Sequence, residues 1–215
     1  MLIPFYGNIC SSDWKPNTLN LDIHLFDKEA LLDKSKRLFF VALLPPLEFQ
    51  DRATEIKQYF ADRYGSSHAL KSPPHVTMQA PFEWAIDSVA VLEQCLQSFA
   101  SKRQAIPVTL SGFAAFVPRV IYINVIRSPE LLSLQKDLTT KMENGLGVVD
   151  DALKKRTFAP HLTVAFKDLT KENFRNAWPE FEKRELEFEF TANSLTLLIH
   201  ESKRWHIHSE YPFSS

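Results

Sequence analysis

Two short stretches of this 215-residue chain carry the residue types of acid–base chemistry in the same order: Pro74-His75-Val76-Thr77-Met78 and Pro160-His161-Leu162-Thr163-Val164. Each reads Pro-His-apolar-Thr-apolar. In an extended strand, residues i and i+2 share a face. Each copy therefore predicts an imidazole beside a hydroxyl on one face, with two apolar side chains turned into a core on the other. Two such pairs brought together surround a small volume with two proton-transfer groups and two hydroxyl donors. That set suits a phosphate, whose displacement needs a base for the attacking oxygen, an acid for the leaving oxygen and donors for the remaining oxygens.

The duplicated H-x-T pattern resembles that of the two-histidine (2H) phosphoesterases, the 2'-5' RNA ligase-like or LigT-like family. Further stretches carry the resemblance. Lys36-Arg37-Leu38-Phe39-Phe40-Val41-Ala42-Leu43-Leu44-Pro45-Pro46 is similar to the family's opening strand, and Leu110 to Tyr122 to its middle hairpin. Arg156-Thr157-Phe158-Ala159-Pro160-His161 is similar to its run into the second motif. One H-x-T is a weak signal, whereas two copies with matching flanks are a strong one. The resemblance spans about residues 36 to 213. It implies an α+β fold of two pseudo-symmetric lobes, each an antiparallel sheet with helices outside, and a central cleft carrying both motifs. It also implies a metal-independent phosphodiesterase that hydrolyses 2',3'-cyclic phosphates of nucleosides or RNA ends to 2'-phosphates. In that scheme His161 takes a proton from water, His75 gives one to the leaving 3' oxygen, and Thr77 and Thr163 hold the non-bridging oxygens. The residues do not order the two histidine roles, and the same groups would allow a reversible 2'-5' RNA ligase activity. The alternative is a nucleotide-binding module of the same fold without turnover. Expected partners are a nucleotide or RNA end carrying a cyclic phosphate; no cofactor and no metal are expected.

The elements that must position the motifs are legible as periodicities. A strand is predicted at about 37–44, stopped by Pro45-Pro46, then a helix at about 47–64 with Phe49, Ala53, Ile56 and Phe60 at helical spacing. The first motif strand follows at about 75–82, and a helix at about 87–100 with Leu92, Cys95, Leu96 and Phe99 on one face. Strands are predicted at about 106–116 and 120–126. Ser128-Pro129-Glu130 then starts a helix striped by Leu131, Leu134, Leu138 and Met142. The second motif strand is predicted at about 160–167. Thr170 caps a short helix that Pro179 should interrupt, and strands close the chain at about 186–192, 195–200 and 204–210. Residues 1–35 have no clear period, but Trp14, Leu19, Leu21, Ile23, Leu25 and Phe26 make them too apolar for a plain disordered tail. They are read as an extension packing on the body.

Other residues keep two readings. Arg156 is either a phosphate or base contact or a solvated loop residue; Lys154 and Lys155 read as solvated charge, and Lys167 as surface. Arg119 falls in a turn. Tyr122 either stacks on a base or packs in a core, and Phe82 with Trp84 either walls a base or packs. His206 and His208, with His200 nearby, have the spacing of a chelating pair, but no third ligand stands at a telling distance in sequence.

Composition sets the class. The chain is 45% hydrophobic and 24% charged, with a formal net charge of −1. A general DNA-binding coat is excluded as an expectation, because such binding needs a basic surface. The two cysteines, Cys10 and Cys95, make no disulfide framework. No run is apolar and long enough to span a membrane, and Met1 to Cys10 lacks the pattern of a signal peptide. The cytoplasm is the expected compartment, and a monomer the expected state.

Overall fold

In the computed structural model, residues 35–149 and 157–214 are described. The expected packing of residues 1–35 on the body falls almost wholly outside them, as do Lys154, Lys155 and Arg156.

The first lobe starts with β1 (Lys36–Leu43), whose alternation is buried on both sides. Phe39, Val41 and Leu43 point into the main core, while Phe40 and Ala42 form a small second cluster with Leu198 on the other face. Helix α1 (Leu47–Tyr64) follows Pro46 and stops at Gly65, which takes the left-handed conformation (φ 64°). There the Gly65 and Ser66 amides close back on the carbonyls of Ala61 and Phe60. After a 3₁₀ turn at His68–Lys71 comes β2 (Val76–Ala85), the first motif strand, and then α2 (Val89–Ala100). β3 (Ile106–Phe116) and β4 (Val120–Val125) make the middle hairpin. Helix α3 (Pro129–Leu146) opens as expected: Leu131 N–H donates to Ser128 Oγ (3.2 Å) with proline in the first turn. β5 (His161–Ala165) is the second motif strand. Helix α4 (Lys171–Phe181), capped by Thr170 Oγ1, precedes β6 (Glu187–Ala192), β7 (Ser194–Glu201) and β8 (Arg204–Pro212).

Two expectations need correction. Pro179 does not interrupt α4, which runs on to Phe181. The proline lies in the last turn, where its fixed φ is helical, and the following turn is kept by Glu182 N–H donating to the Trp178 carbonyl (2.8 Å). The second motif strand is also shorter than 160–167. It ends at Ala165 because Lys167 adopts a positive φ of 56° and the Asp168 amide turns back on the Phe166 carbonyl.

The strands form two antiparallel four-stranded sheets, ordered β2-β1-β7-β8 and β5-β4-β3-β6. Each motif strand is thus the edge of its own sheet, and these two edges lie in contact. The first helices of the two halves cross over. Helix α1 follows β1 yet packs on β5, and α3 follows β4 yet packs on β2. The architecture is α+β with two matched lobes, as the duplicated pattern predicts. Among the described residues no helix is long and apolar enough to cross a membrane.

Candidate active site

Proline decides where each motif histidine points. A proline at position i−1 holds residue i−2 extended, and the carbonyl of residue i−2 then faces the imidazole. The result is the same at both motifs: His75 Nδ1 lies 2.7 Å from the Pro73 carbonyl oxygen, and His161 Nδ1 lies 2.7 Å from that of Ala159. A carbonyl only accepts, so Nδ1 carries hydrogen in both rings. In the neutral form Nε2 is the lone-pair nitrogen of each. Both rings are half-buried.

Strand register adds the hydroxyls. Thr77 stands opposite Ala42, on the face that Ala42 shares with Phe40 and Leu198. Thr163 stands opposite Tyr122, and His161 opposite Asn124. Cross-strand partners share a face, so His161, Thr163, Tyr122 and Asn124 form one patch. The Asn124 amide is itself fixed by donating to the Ser111 carbonyl (3.2 Å).

Aromatic rings brace both imidazoles. Phe40 packs on His75 with ring centroids 4.7 Å apart, and Trp205 meets Phe40 edge-on at 4.6 Å. On the second lobe, Tyr122 and Phe116 sit 5.2 and 5.1 Å from His161. Tyr122 is therefore beside the second motif, and burial raises its phenol pKa.

Burial pushes the His75 pKa down to about 4. The Pro73 carbonyl opposes that, and positive charge on Lys57 and His161 adds to it. The two imidazoles thus feel each other's charge. Lys57 lies on the buried face of α1 between Ala53 and Phe60, and its ammonium donates to the Ser72 carbonyl (3.0 Å). Burial lowers its pKa to about 7.

One carboxylate ties the approach to the first motif to the exit from the second. Asp168 accepts from Ser66 Oγ (2.9 Å), from the backbone N–H groups of Ser67 (2.9 Å) and His68 (2.8 Å), and from Ser67 Oγ (3.2 Å).

Several sequence candidates sit elsewhere. Phe82 pairs with Phe39, and Trp84 with Arg37, on the helix side of the sheet; both pack on the main core. Phe82 as a wall for a base is therefore corrected to a packing residue. Arg119 is exposed in the turn after Phe116, and Lys167 is exposed, its ammonium 5.5 Å from the centre of the Phe166 ring. His200 packs on Trp205, whereas His208 pairs with Glu93 (3.2 Å) and meets Phe39. Among the described residues no three His, Cys, Asp or Glu side chains converge as metal ligands. Phe40, Trp205, Asn124 and Lys57 were missed as neighbours of the motifs. Lys57 left a readable trace: a lysine at i+4 from Ala53 and three before Phe60 interrupts an apolar stripe.

Comparison with known proteins fits this arrangement. Residues 45–204 match the family model of the 2'-5' RNA ligase superfamily. A candidate phosphoesterase of Geobacillus kaustophilus is 25% identical over 174 residues, covering 80% of this chain and 93% of the relative. The crystal structure of TT0787 from Thermus thermophilus superposes with a TM-score of 0.60 at 17% identity, over 82% of this chain and 97% of that one. Apo LigT from E. coli gives 0.57 at 16% identity, over 84% and 99%. LigT has also been solved with 3'-AMP, NADP+ and ATP.

Proposed function

Since the chain belongs to the 2'-5' RNA ligase superfamily, we propose that it is a metal-independent phosphodiesterase that opens the 2',3'-cyclic phosphate of a nucleoside or RNA end to a 2'-phosphate. The observation that carries this reading is the matched anchoring of two imidazoles by Nδ1, one on each of two touching strand edges. It assigns the lone pair of each neutral ring to Nε2, the nitrogen that would carry proton transfer. In-line displacement needs such a pair on opposite sides of phosphorus. The nucleotides bound by LigT are in keeping with a nucleotide substrate.

Water attacks phosphorus as His161 Nε2 takes its proton. The bond from phosphorus to the 3' oxygen breaks, and His75 Nε2 supplies the proton that this oxygen needs. Thr77 and Thr163 donate to the non-bridging oxygens, whose charge grows in the transition state. With a 5'-hydroxyl in the place of water, the same groups join two ends through a 2'-5' linkage: His161 takes the hydroxyl proton, and the 3' oxygen leaves with the proton from His75. His75 is neutral in the empty site, given its pKa of about 4. A phosphate anion about 4 Å away contributes ~4 kcal/mol at an effective dielectric of about 20. That is enough to carry His75 back toward neutral pH. Substrate thus brings its own proton donor into being.

The test is turnover of a panel of 2',3'-cyclic nucleotides with chelator present. Wild type should turn over, and His75→Ala or His161→Ala should cost on the order of a hundred- to ten-thousandfold. Thr77→Val and Thr163→Val should cost less. A double-histidine variant with near-wild-type turnover would sink the assignment, and so would loss with chelator restored by a divalent ion.

A further inference from the structure

We propose that a basic cavity beside the first motif binds a second phosphate group of the substrate. The cavity, about 230 Å³, is lined by Lys57, Lys71, Arg204, His206, Trp205 and Ser72 among others. None of its lining residues is acidic. It shares walls with the His75 site. Pro73, whose carbonyl anchors His75 Nδ1, lines it, and Trp205 reaches His75 through Phe40.

Lys57 is the central observation. Its side chain is 1% exposed, and an ammonium has three donors. The bond to Ser72 uses one of them. A buried ammonium is costly unless an anion faces it, and its lowered pKa reflects that cost. Lys71 and Arg204 add positive charge at the rim, although Arg204 also donates to the Leu70 carbonyl (2.9 Å) and holds the loop. A phosphate supplies what this set lacks: several acceptor oxygens and negative charge at a wall of the His75 site. The group could be the phosphodiester of the preceding nucleotide in an RNA chain or a 5'-phosphate on a mononucleotide. The inference rests on the proposed function only for the position of the first phosphate.

The experiment is calorimetric binding at fixed ionic strength to wild type, Lys71→Ala and Lys57→Met. The three ligands are a nucleoside 2'-phosphate, a nucleoside 2',5'-bisphosphate and a dinucleotide ending in a 2'-phosphate. At least one two-phosphate ligand should bind wild type on the order of tenfold tighter than the one-phosphate ligand. Lys71→Ala should reduce that ratio toward one and leave the one-phosphate affinity unchanged; Lys57→Met should do likewise to the ratio if it folds, as read by circular dichroism. Whichever ligand shows the preference identifies the source of the phosphate. Equal binding of all three ligands to wild type overturns the proposal, as does a preference that survives in Lys71→Ala. Failure to turn over cyclic phosphates would instead count against the proposed function, and this ratio would be unaffected by it.

Discussion

His75 is the residue on which pH should act most visibly. Its pKa of about 4 belongs to the free protein, and the bound phosphate raises it. If His75 is the acid, kcat should keep a basic limb near neutrality while kcat/KM carries the same limb near pH 4. If the roles are reversed, His75 contributes an acidic limb instead. His75→Ala removes one limb of the residual activity, and the limb that disappears fixes the order. A flat wild-type profile from about pH 4 to 9, with chemistry rate-limiting, contradicts two-histidine catalysis. Stability follows the same group. The folded pKa lies below the ordinary 6.5, so the unfolded chain binds more protons between the two values. The His75 contribution is therefore present above about 6.5 and lost as pH falls through about 4. At this scale the histidines and threonines were legible because a period of two needs no tertiary knowledge. Phe40 was not: its opening strand is apolar on both faces, and alternation then says nothing about which ring meets an imidazole.

Among the elements, α1 offers a sharp test. Its apolar face contains Lys57, whose ammonium is desolvated and lowered to about 7 from 10.5. Between those values the unfolded state holds a proton that the folded state lacks, so this group makes stability rise with pH. Lys57→Met removes that dependence. The variant should gain most in thermal midpoint, relative to wild type, at or below about pH 7, and the gain should shrink toward pH 10. A constant difference across that range would show that the burial cost is not electrostatic. The bounds of α1 were readable because its stop is local: Gly65 takes positive φ where the helix ends. The end of β5 was not, since Lys167 turns the chain with no glycine or proline to announce it. Phe82 misled for another reason: being close to a motif in sequence does not fix the face, and its pairing with Phe39 puts it among the helices.

For the molecule as a whole, the sequence repeat revealed two lobes but not how they are fastened. Helices α1 and α3 each pack on the other half's motif strand, and Asp168 clips the segment after α1 to the end of β5. No spacing in the chain advertises that pairing of Ser66 with Asp168. Asp168→Ala should cost on the order of 2 kcal/mol of stability by chemical denaturation, because it strands a buried Ser66 hydroxyl and two amide donors. It should also lower kcat, and unchanged kcat would show that the clip does not align the motifs. The matched seating of the two imidazoles reaches beyond a single event. Each turnover moves the hydrogen to the opposite ring, so the complex that holds product is the mirror image of the one that held substrate. For that interval it is set for the reverse direction, with His75 ready to take the proton of the 3'-hydroxyl and His161 ready to give one to a departing oxygen. Only exchange with the surrounding buffer rewinds it, and steady-state turnover, unlike the first cycle, should quicken as buffer concentration rises.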